Sequence, residues 1–403
     1  MALSNTNTRY GTVTKTIHWV MALLILTLIP LGWIADQLPY DTDPELARKA
    51  WLFSLHKTLG VTAFFVAMLR IVWALSQAKP ALLNGGKKLE SFAAELVHWM
   101  LYGALVIVPL SGWIGHAAAQ GFAPIWWPLG QNLPMVPKSA PVEHFFGALH
   151  FVAGRVLILS LILHIAGALK HHLIDRDNTL RRMLPGAVDL PPLPAQNHSH
   201  RPLVAAILIW AVAVALSAAL ASGTGDAPQA TALAEVSSDW QVQDGSIEIT
   251  VAQFGSDITG SFADWTAAIR FDDSLAGQKV GSVETTIAIS SLTLGSVTQQ
   301  ALGPDFLDGG SHATAVFKGD ILRAVDGYEA KGTLRIKDTT LPLTLPFSLA
   351  LQGDNTEMQG AEMQGFVSLD RRDFGIGPNV TDETTLGFQV KVKITLNAHR
   401  SGS

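Results

Sequence analysis

The stretch that decides the fold is FFGALHFVAGRVLILSLILHIAGALKHH, residues 145–172. Between Phe145 and Leu169 its single formal charge is Arg155, and it carries His150 and His164 inside the apolar run. A helix turns about 100° and rises about 1.5 Å per residue, so the fourteen-residue spacing leaves the two imidazoles about 40° apart on one face. The same spacing separates them by about 21 Å along the axis, most of a hydrocarbon core of about 30 Å. An imidazole in a membrane span is expensive and marks a functional position. The helix is therefore expected to offer one ligand at each of two depths.

Working outward, five segments are apolar and long enough to span: Ile17–Leu38, Trp51–Leu75, Phe92–Ala119, Phe145–Leu169 and Leu203–Ala221. Basic residues gather at the N-terminus (Arg9, Lys15), in the second connection (Lys79, Lys87, Lys88) and in the fourth (Lys170, Arg176, Arg181, Arg182, Arg201). The first connection is mostly acidic (Asp36, Asp41, Asp43, Glu45), and the third offers only Lys138. By the positive-inside rule the N-terminus is expected in the cytoplasm and everything after the fifth span outside, in the periplasm of a bacterium with an inner membrane. The third connection, Gln120–His144, pairs Trp126 with Trp127, and adjacent indoles favour the headgroup level. It reads as an anchoring loop or as a lid over the entrance for a lipid-soluble substrate. The fifth segment ends in Ala219-Leu220-Ala221, the form of a secretory signal peptide. The expectation is an uncleaved span, with clipping after Ala221 as the alternative.

The two halves differ in charge and texture. Residues 1–201 hold 16 Lys+Arg, 10 Asp+Glu and 11 of the 13 histidines, whereas the remainder holds 12 and 23. No dense basic stripe is present, which argues against nucleic-acid binding. The chain has no cysteine, which excludes disulfides, c-type haem attachment, thiolate metal sites and cysteine nucleophiles. From about Trp240 the pattern alternates apolar with polar, as in Ser246–Val251, Ser282–Ile289, Lys331–Lys337, Leu345–Leu351 and Phe388–Leu396. Turn residues separate these runs, so an eight-stranded antiparallel barrel with room for one small ligand is expected. Residues 222–237 begin in an Ala/Gly/Ser/Thr-rich run and read as a flexible tether. The expected domains are thus 1–186 (four-helix transmembrane), 187–221 (cytoplasmic linker and fifth helix), 222–237 (tether) and 238–403 (barrel).

Four histidines lie at matching depths. His18 and His164 stand near the cytoplasmic ends of their spans, and His56 and His150 shortly after outer starts. Depth pairs them as His18–His164 and His56–His150, a pattern suited to two haems whose irons are each held by two imidazoles. His98 lies at the same level as His18 and competes with it; His116, His144, His171 and His172 read as solvated or interfacial. Two cations stand apart. Arg155 is set to pair with a haem propionate, a quinone oxygen or an anionic substrate, and Lys57 to steer a small anion. Arg70 is assigned to the inner haem.

The residues Arg9-Tyr10-Gly11, Ile17-His18-Trp19, Leu55-His56-Lys57-Thr58-Leu59-Gly60, Pro109-Leu110-Ser111-Gly112 and Asp177–Pro185, with the Leu149-His150 to Leu163-His164 spacing, resemble the bacterial cytochrome b561 family over about residues 8–186. The resemblance implies a four-helix cytochrome with two haem b groups, ligated by His18, His56, His150 and His164, that exchanges electrons with ubiquinone. One branch of that family resembles this chain closely enough to suggest superoxide oxidation with quinone reduction. The second half, through Gly260–Asp272, Leu302–Asp308, Ala315–Phe317, Gly332–Lys337 and Asp370–Gly377, resembles the YceI family over about residues 238–397. This resemblance implies a lipocalin-like barrel that binds an isoprenoid, including quinone tails, in an apolar tunnel. Phe262, Phe271, Phe306, Phe317 and Phe347 are candidates to line it. Usual members carry Tyr-Pro before the Ala-x-Phe strand; Ser311-His312 stand there here. The expected function is a membrane oxidoreductase with a tethered quinone-binding barrel. The alternatives are a polyprenyl-lipid carrier with a redox-sensing membrane anchor and a cytochrome b relay subunit of a larger dehydrogenase.

Overall fold

The computed structural model describes residues 2–400 except 82, 84, 85, 120–122, 129, 131, 187, 189–198, 224–232, 235, 296, 355 and 356. In the expected linker and fifth helix (187–221), most of 187–200 lies outside the described residues, and so does most of the expected tether, 222–237. The chain forms two compact units, one helical and one of strands.

The helical unit is built on α1 (Thr12–Gln37), α2 (Asp43–Leu75), α3 (Lys88–Ala118), α4 (Ala140–Lys170) and α5 (Arg201–Gly223). All five are long and apolar enough to cross a membrane, and their outward faces stay apolar. Each helix begins earlier than the apolar runs. Thr12–Thr16, Asp43–Ala50, Lys88–Ser91 and Ala140–His144 are polar or mixed residues that extend the hydrogen-bonded spiral beyond the hydrophobic run, because a helix end is set by where backbone bonding stops. The core between α1, α2, α3 and α4 holds Met21, Ile25, Ala67, Ala104, Leu105 and Leu157. Small residues do much of this packing, as they do wherever helices approach closely in lipid. The fifth helix packs on α3 and α4, and Trp210 sits where a side chain at Gly103 would have to be: an ideal Cβ there would clash with its Nε1. Past α4 the chain makes a π turn, His171–Asp175, and a left-handed residue, Arg176. Arg182 then pins the return by donating to Ala81 O and Thr8 O.

The strand unit is one antiparallel sheet of ten strands: β1 (Trp240–Gln253), β2 (Ser256–Phe262), β3 (Trp265–Phe271), β4 (Lys279–Ala288), β5 (Leu292–Thr293), β6 (Thr314–Ala324), β7 (Gly327–Ile336), β8 (Thr339–Asp354), β9 (Glu357–Asp370) and β10 (Leu386–Arg400). The spatial order is β3-β4-β6-β7-β8-β9-β10-β1-β2-β5, so the expected count of eight is corrected to ten. The physical reason lies in the short elements. A two-residue strand such as β5 has no alternation to detect, and β3 carries its pattern in an Ala-Ala pair. Asp239 N donates to Ile269 O and Ile269 N to Ser238 Oγ, drawing the start of β1 towards β3 and curling the sheet on itself.

Inside the curl, Trp240, Phe271, Phe317, Phe347 and Phe374 are joined by aliphatic residues of β6–β10. One charged residue is buried with them. Arg371, in the 3-10 turn Arg371–Phe374, is 2% exposed. Its guanidinium donates to the carbonyls of Gly387, Ile376, Gly377, Val380 and Leu386, which turns a costly charge into the tie that closes this end of the sheet. Beside it, Asp370 takes two hydrogen bonds from the exposed Arg372 guanidinium, which holds the carboxyl below the usual carboxylate range.

Replacing Arg371 by Met leaves those carbonyls without donors, and the strand unit is expected to lose about 3 kcal/mol or more of stability. Urea titration of the purified protein, read by proteolytic susceptibility of the barrel, measures it; an unchanged midpoint contradicts the assignment.

Candidate functional site

The helical unit brings the four depth-matched histidines together in two pairs. His18 of α1 and His164 of α4 have ring centres 6.2 Å apart, and His56 of α2 and His150 of α4 have centres 6.5 Å apart. Two imidazoles holding one metal from opposite sides, through bonds of about 2 Å, stand about 6 Å between ring centres. Both pairs fit that separation. His98 does not. Its ring stands 5.0 Å from His164 and at 89° to it, edge-on and too close for an iron between them, while its Nδ1 bonds Ala94 O within its own helix. Of the two rings near His164, it is His18 that stands at the separation a shared metal would need.

The surroundings of the His56–His150 pair suit a ligand role. His56 Nδ1 lies 3.1 Å from Leu28 O, and His150 Nδ1 lies 2.8 Å from Val108 O. A backbone carbonyl at Nδ1 takes the ring proton and leaves Nε2 unprotonated for a metal. Each carbonyl lies four residues before a glycine, in Leu28-Ile29-Pro30-Leu31-Gly32-Trp33 of α1 and Val108-Pro109-Leu110-Ser111-Gly112-Trp113 of α3. An ideal Cβ on Gly32 would meet His56 Cε1 at 2.7 Å, and one on Gly112 would meet His150 Nδ1 at 2.9 Å. Glycine is the residue that admits the ring there. Gly60 and Gly154 lie one turn past His56 and His150, and a Cβ on either would meet nothing within 4 Å, so a flat ring system can lie against these helices. In the other pair, His18 Nδ1 is buried with no hydrogen-bond partner among the described residues.

The cations fall in different places. Arg70 lies over the Tyr102 ring at 5.5 Å, and its charge reaches His18, His98 and His164. Lys57 follows His56 and stands 3.3 Å from His116 Nδ1. His116, read from sequence as solvated or interfacial, is instead 9% exposed and faces Lys57. Spacing gives no sign of this, because α3 and α2 meet there only in three dimensions. Arg155 is exposed on the flank of α4, with its guanidinium 4.5 Å from the Phe151 ring and no carboxylate partner among the described residues. The loop carrying Trp126 and Trp127 folds back on α2: Trp126 N donates to Thr58 Oγ1 and Trp127 Nε1 to Thr62 Oγ1. It therefore covers α2 within two turns of His56. At the other end, His171 is not solvated either, but bonds Asp177 at 2.8 Å. Glu90, His171 and Asp175 converge there, yet Lys170 and Lys87 each bridge Glu90 and Asp175, so the two carboxylates are already met by two cations.

The second site is the apolar chamber inside the sheet, about 290 Å³ in volume. Phe262, Phe271, Phe306, Phe317 and Phe347 all lie on its wall, and among the described residues the amide and charged side chains there are Gln253, Gln300 and Arg371. Such a chamber suits a mostly hydrocarbon ligand with few polar atoms.

A family model described as prokaryotic cytochrome b561 matches residues 9–186, and one described as a YceI-like domain matches residues 240–398. Cytochrome b561 homolog 2 of Escherichia coli is 32% identical over 188 residues, 46% of this chain and 95% of that protein. A probable superoxide oxidase of Yersinia pestis is 24% identical over 182 residues, 44% of this chain and 96% of that protein. Among solved structures, BcnA of Burkholderia cenocepacia is 25% identical, covering 38% of this chain and 95% of that one with a TM-score of 0.35. The molecule is a membrane-bound b-type cytochrome joined to a lipocalin-like barrel. Its helical part belongs to the prokaryotic cytochrome b561 family, which implies haem b, and its C-terminal part is a YceI-like domain.

Gly32→Ala and Gly112→Ala each push a methyl into a histidine ring and are expected to lower the haem bound per chain by disturbing the His56–His150 cradle. Gly310→Ala, where a Cβ meets no atom within 4 Å in the strand unit, is the control. A pyridine haemochrome assay on purified protein reads the result, and full haem content in both helix variants counts against the cradle.

Proposed function

We propose that the helical unit holds two b haems, one between His18 and His164 and one between His56 and His150, and exchanges electrons with ubiquinone. The observation that carries this reading is the pair of ring separations, 6.2 and 6.5 Å, each matching one iron held by two imidazoles. A haem held by two imidazoles would supply one-electron transfer. Everything else falls to the chain. His56 and His150 keep Nε2 available by engaging Leu28 O and Val108 O through Nδ1. Arg70 offsets negative charge beside the His18–His164 pair, as a propionate would require. Since α4 carries one histidine of each pair, it sets the distance electrons cover across the bilayer.

The donor we propose is superoxide, in keeping with the likeness to a probable superoxide oxidase. Each superoxide would leave as dioxygen after giving one electron, and two electrons with two protons convert one quinone to its quinol. Lys57, backed by His116, supplies positive charge near the His56–His150 pair that would attract a small anion. Arg155 would serve the quinone or a propionate from the flank of α4. Charge distribution and five spans support a cytoplasmic N-terminus, a periplasmic barrel and superoxide arriving from the periplasmic side. In the barrel, the apolar chamber with its five phenylalanines would hold an isoprenoid chain such as a quinone tail.

His150→Ala and His164→Ala are each expected to leave a reduced b-type spectrum of about half amplitude, and His98→Ala a full one. Superoxide generated in the assay is expected to reduce the haems of the wild type, and Lys57→Glu to slow that reduction about tenfold or more, with an effect that shrinks as salt rises. Full amplitude in both histidine variants overturns the pairing, and a ratio of wild-type to Lys57→Glu rates that stays the same as salt rises overturns the steering role.

A further inference from the structure

The chamber wall holds one amide whose carbonyl oxygen has nothing to accept from. Gln253 ends β1 and continues the inward face set by Ile247, Ile249 and Val251, all of which line the chamber. Alternation alone calls for an apolar side chain at that position. The residue is 4% exposed, and its Oε1 is buried with no hydrogen-bond donor among the described residues. The guanidinium on the same wall cannot supply one, because Arg371 spends its N–H groups on five backbone carbonyls. Nor can the backbone readily move aside. Gln253 pairs with Ser256 across a two-residue turn, Phe254-Gly255, in which both residues have positive φ, the tight form that pins a hairpin's register.

A buried acceptor without a donor is costly in a dry apolar cavity, and a ligand hydroxyl removes the cost. The two redox forms of a prenylated ring differ in this respect. Quinone oxygens only accept, whereas the hydroquinone carries two phenolic O–H donors. We propose that Gln253 Oε1 is the headgroup contact of the chamber and accepts a hydrogen bond from a ligand phenol, so that the barrel takes the hydroquinone form of a prenylated ring in preference to the quinone. The proposal rests on reading the barrel as an isoprenoid site and adds the ligand's redox state to it. No electron transfer occurs at Gln253. The consequence is one of linkage: a protein that binds the reduced form more tightly favours reduction of that ligand by the same factor. A barrel of this kind would draw off the product of a quinone-reducing membrane unit.

The test uses the full-length protein in detergent and two probes, 4-farnesylphenol and its methyl ether. They share a tail and a ring, and they differ by one donor without forming a quinone couple that the haems could turn over. Dissociation constants from native mass spectrometry are compared for wild type, Gln253→Leu and Gln253→Met. The wild type is expected to bind the phenol about tenfold more tightly than the ether, the factor one net hydrogen bond provides. Both variants are expected to bind the two probes equally, near the wild-type affinity for the ether, because the tail contacts remain. Equal wild-type affinities, a tighter ether, or a phenol preference that survives in either folded variant overturns the assignment to Gln253 and leaves the isoprenoid reading standing. Binding of neither probe by the wild type overturns the isoprenoid reading itself.

Discussion

Burying an imidazole nitrogen without a partner is costly in an apolar helix, and the surroundings of His56 and His150 are arranged round that cost. For His56 and His150 one nitrogen is met by a main-chain carbonyl of a neighbouring helix, which leaves Nε2 as the nitrogen available to a metal. The carbonyl is reachable because the residue one turn later is glycine, so ring and backbone come within contact distance. Two different helices, α1 and α3, supply this arrangement from similar Pro-Leu-(Ser)-Gly-Trp-Ile stretches, each serving the histidine of a different partner helix. Since α4 contributes to both pairs, its straight run between His150 and His164 sets the separation of the two sites.

The strand unit meets the cost of buried polarity in two opposite ways. Arg371 is a full charge in an apolar interior, but each arm of its guanidinium finds carbonyls where the chain turns from the Arg371–Phe374 turn towards β10. Gln253 lies on the same wall, carries no charge, and has an oxygen with no donor among the described residues. The first is a structural device that organises the end of the sheet. The second is polarity that the fold itself does not use.

Much of this is legible along the chain alone. The five spans stand out because a run of 18 or more apolar residues is longer than a soluble core helix needs and matches the thickness of a bilayer. The barrel stands out because alternation persists over long strands. The depth pairing of His18 with His164 and His56 with His150 follows from residue counts along helices. Counting along a helix says nothing about the distance between helices, however. That is why His98 competes on depth, and why only the 5.0 Å edge-on contact with His164 removes it. His116 escapes notice for the same reason: its partner Lys57 lies 59 residues away in sequence. The strands β3 and β5 are too short, or too rich in alanine, to show a period.

The sequence by itself determined which segments enter the membrane, which histidines share a level, and that a β-rich domain follows, since hydrophobicity and its period are properties of the chain read one residue at a time. Only the tertiary structure decided which rings face each other at a metal's width, which glycines admit them, and which buried polar atoms are satisfied. Those outcomes depend on how side chains from distant segments pack, and contact distances of a few tenths of an ångström leave no trace in spacing or composition.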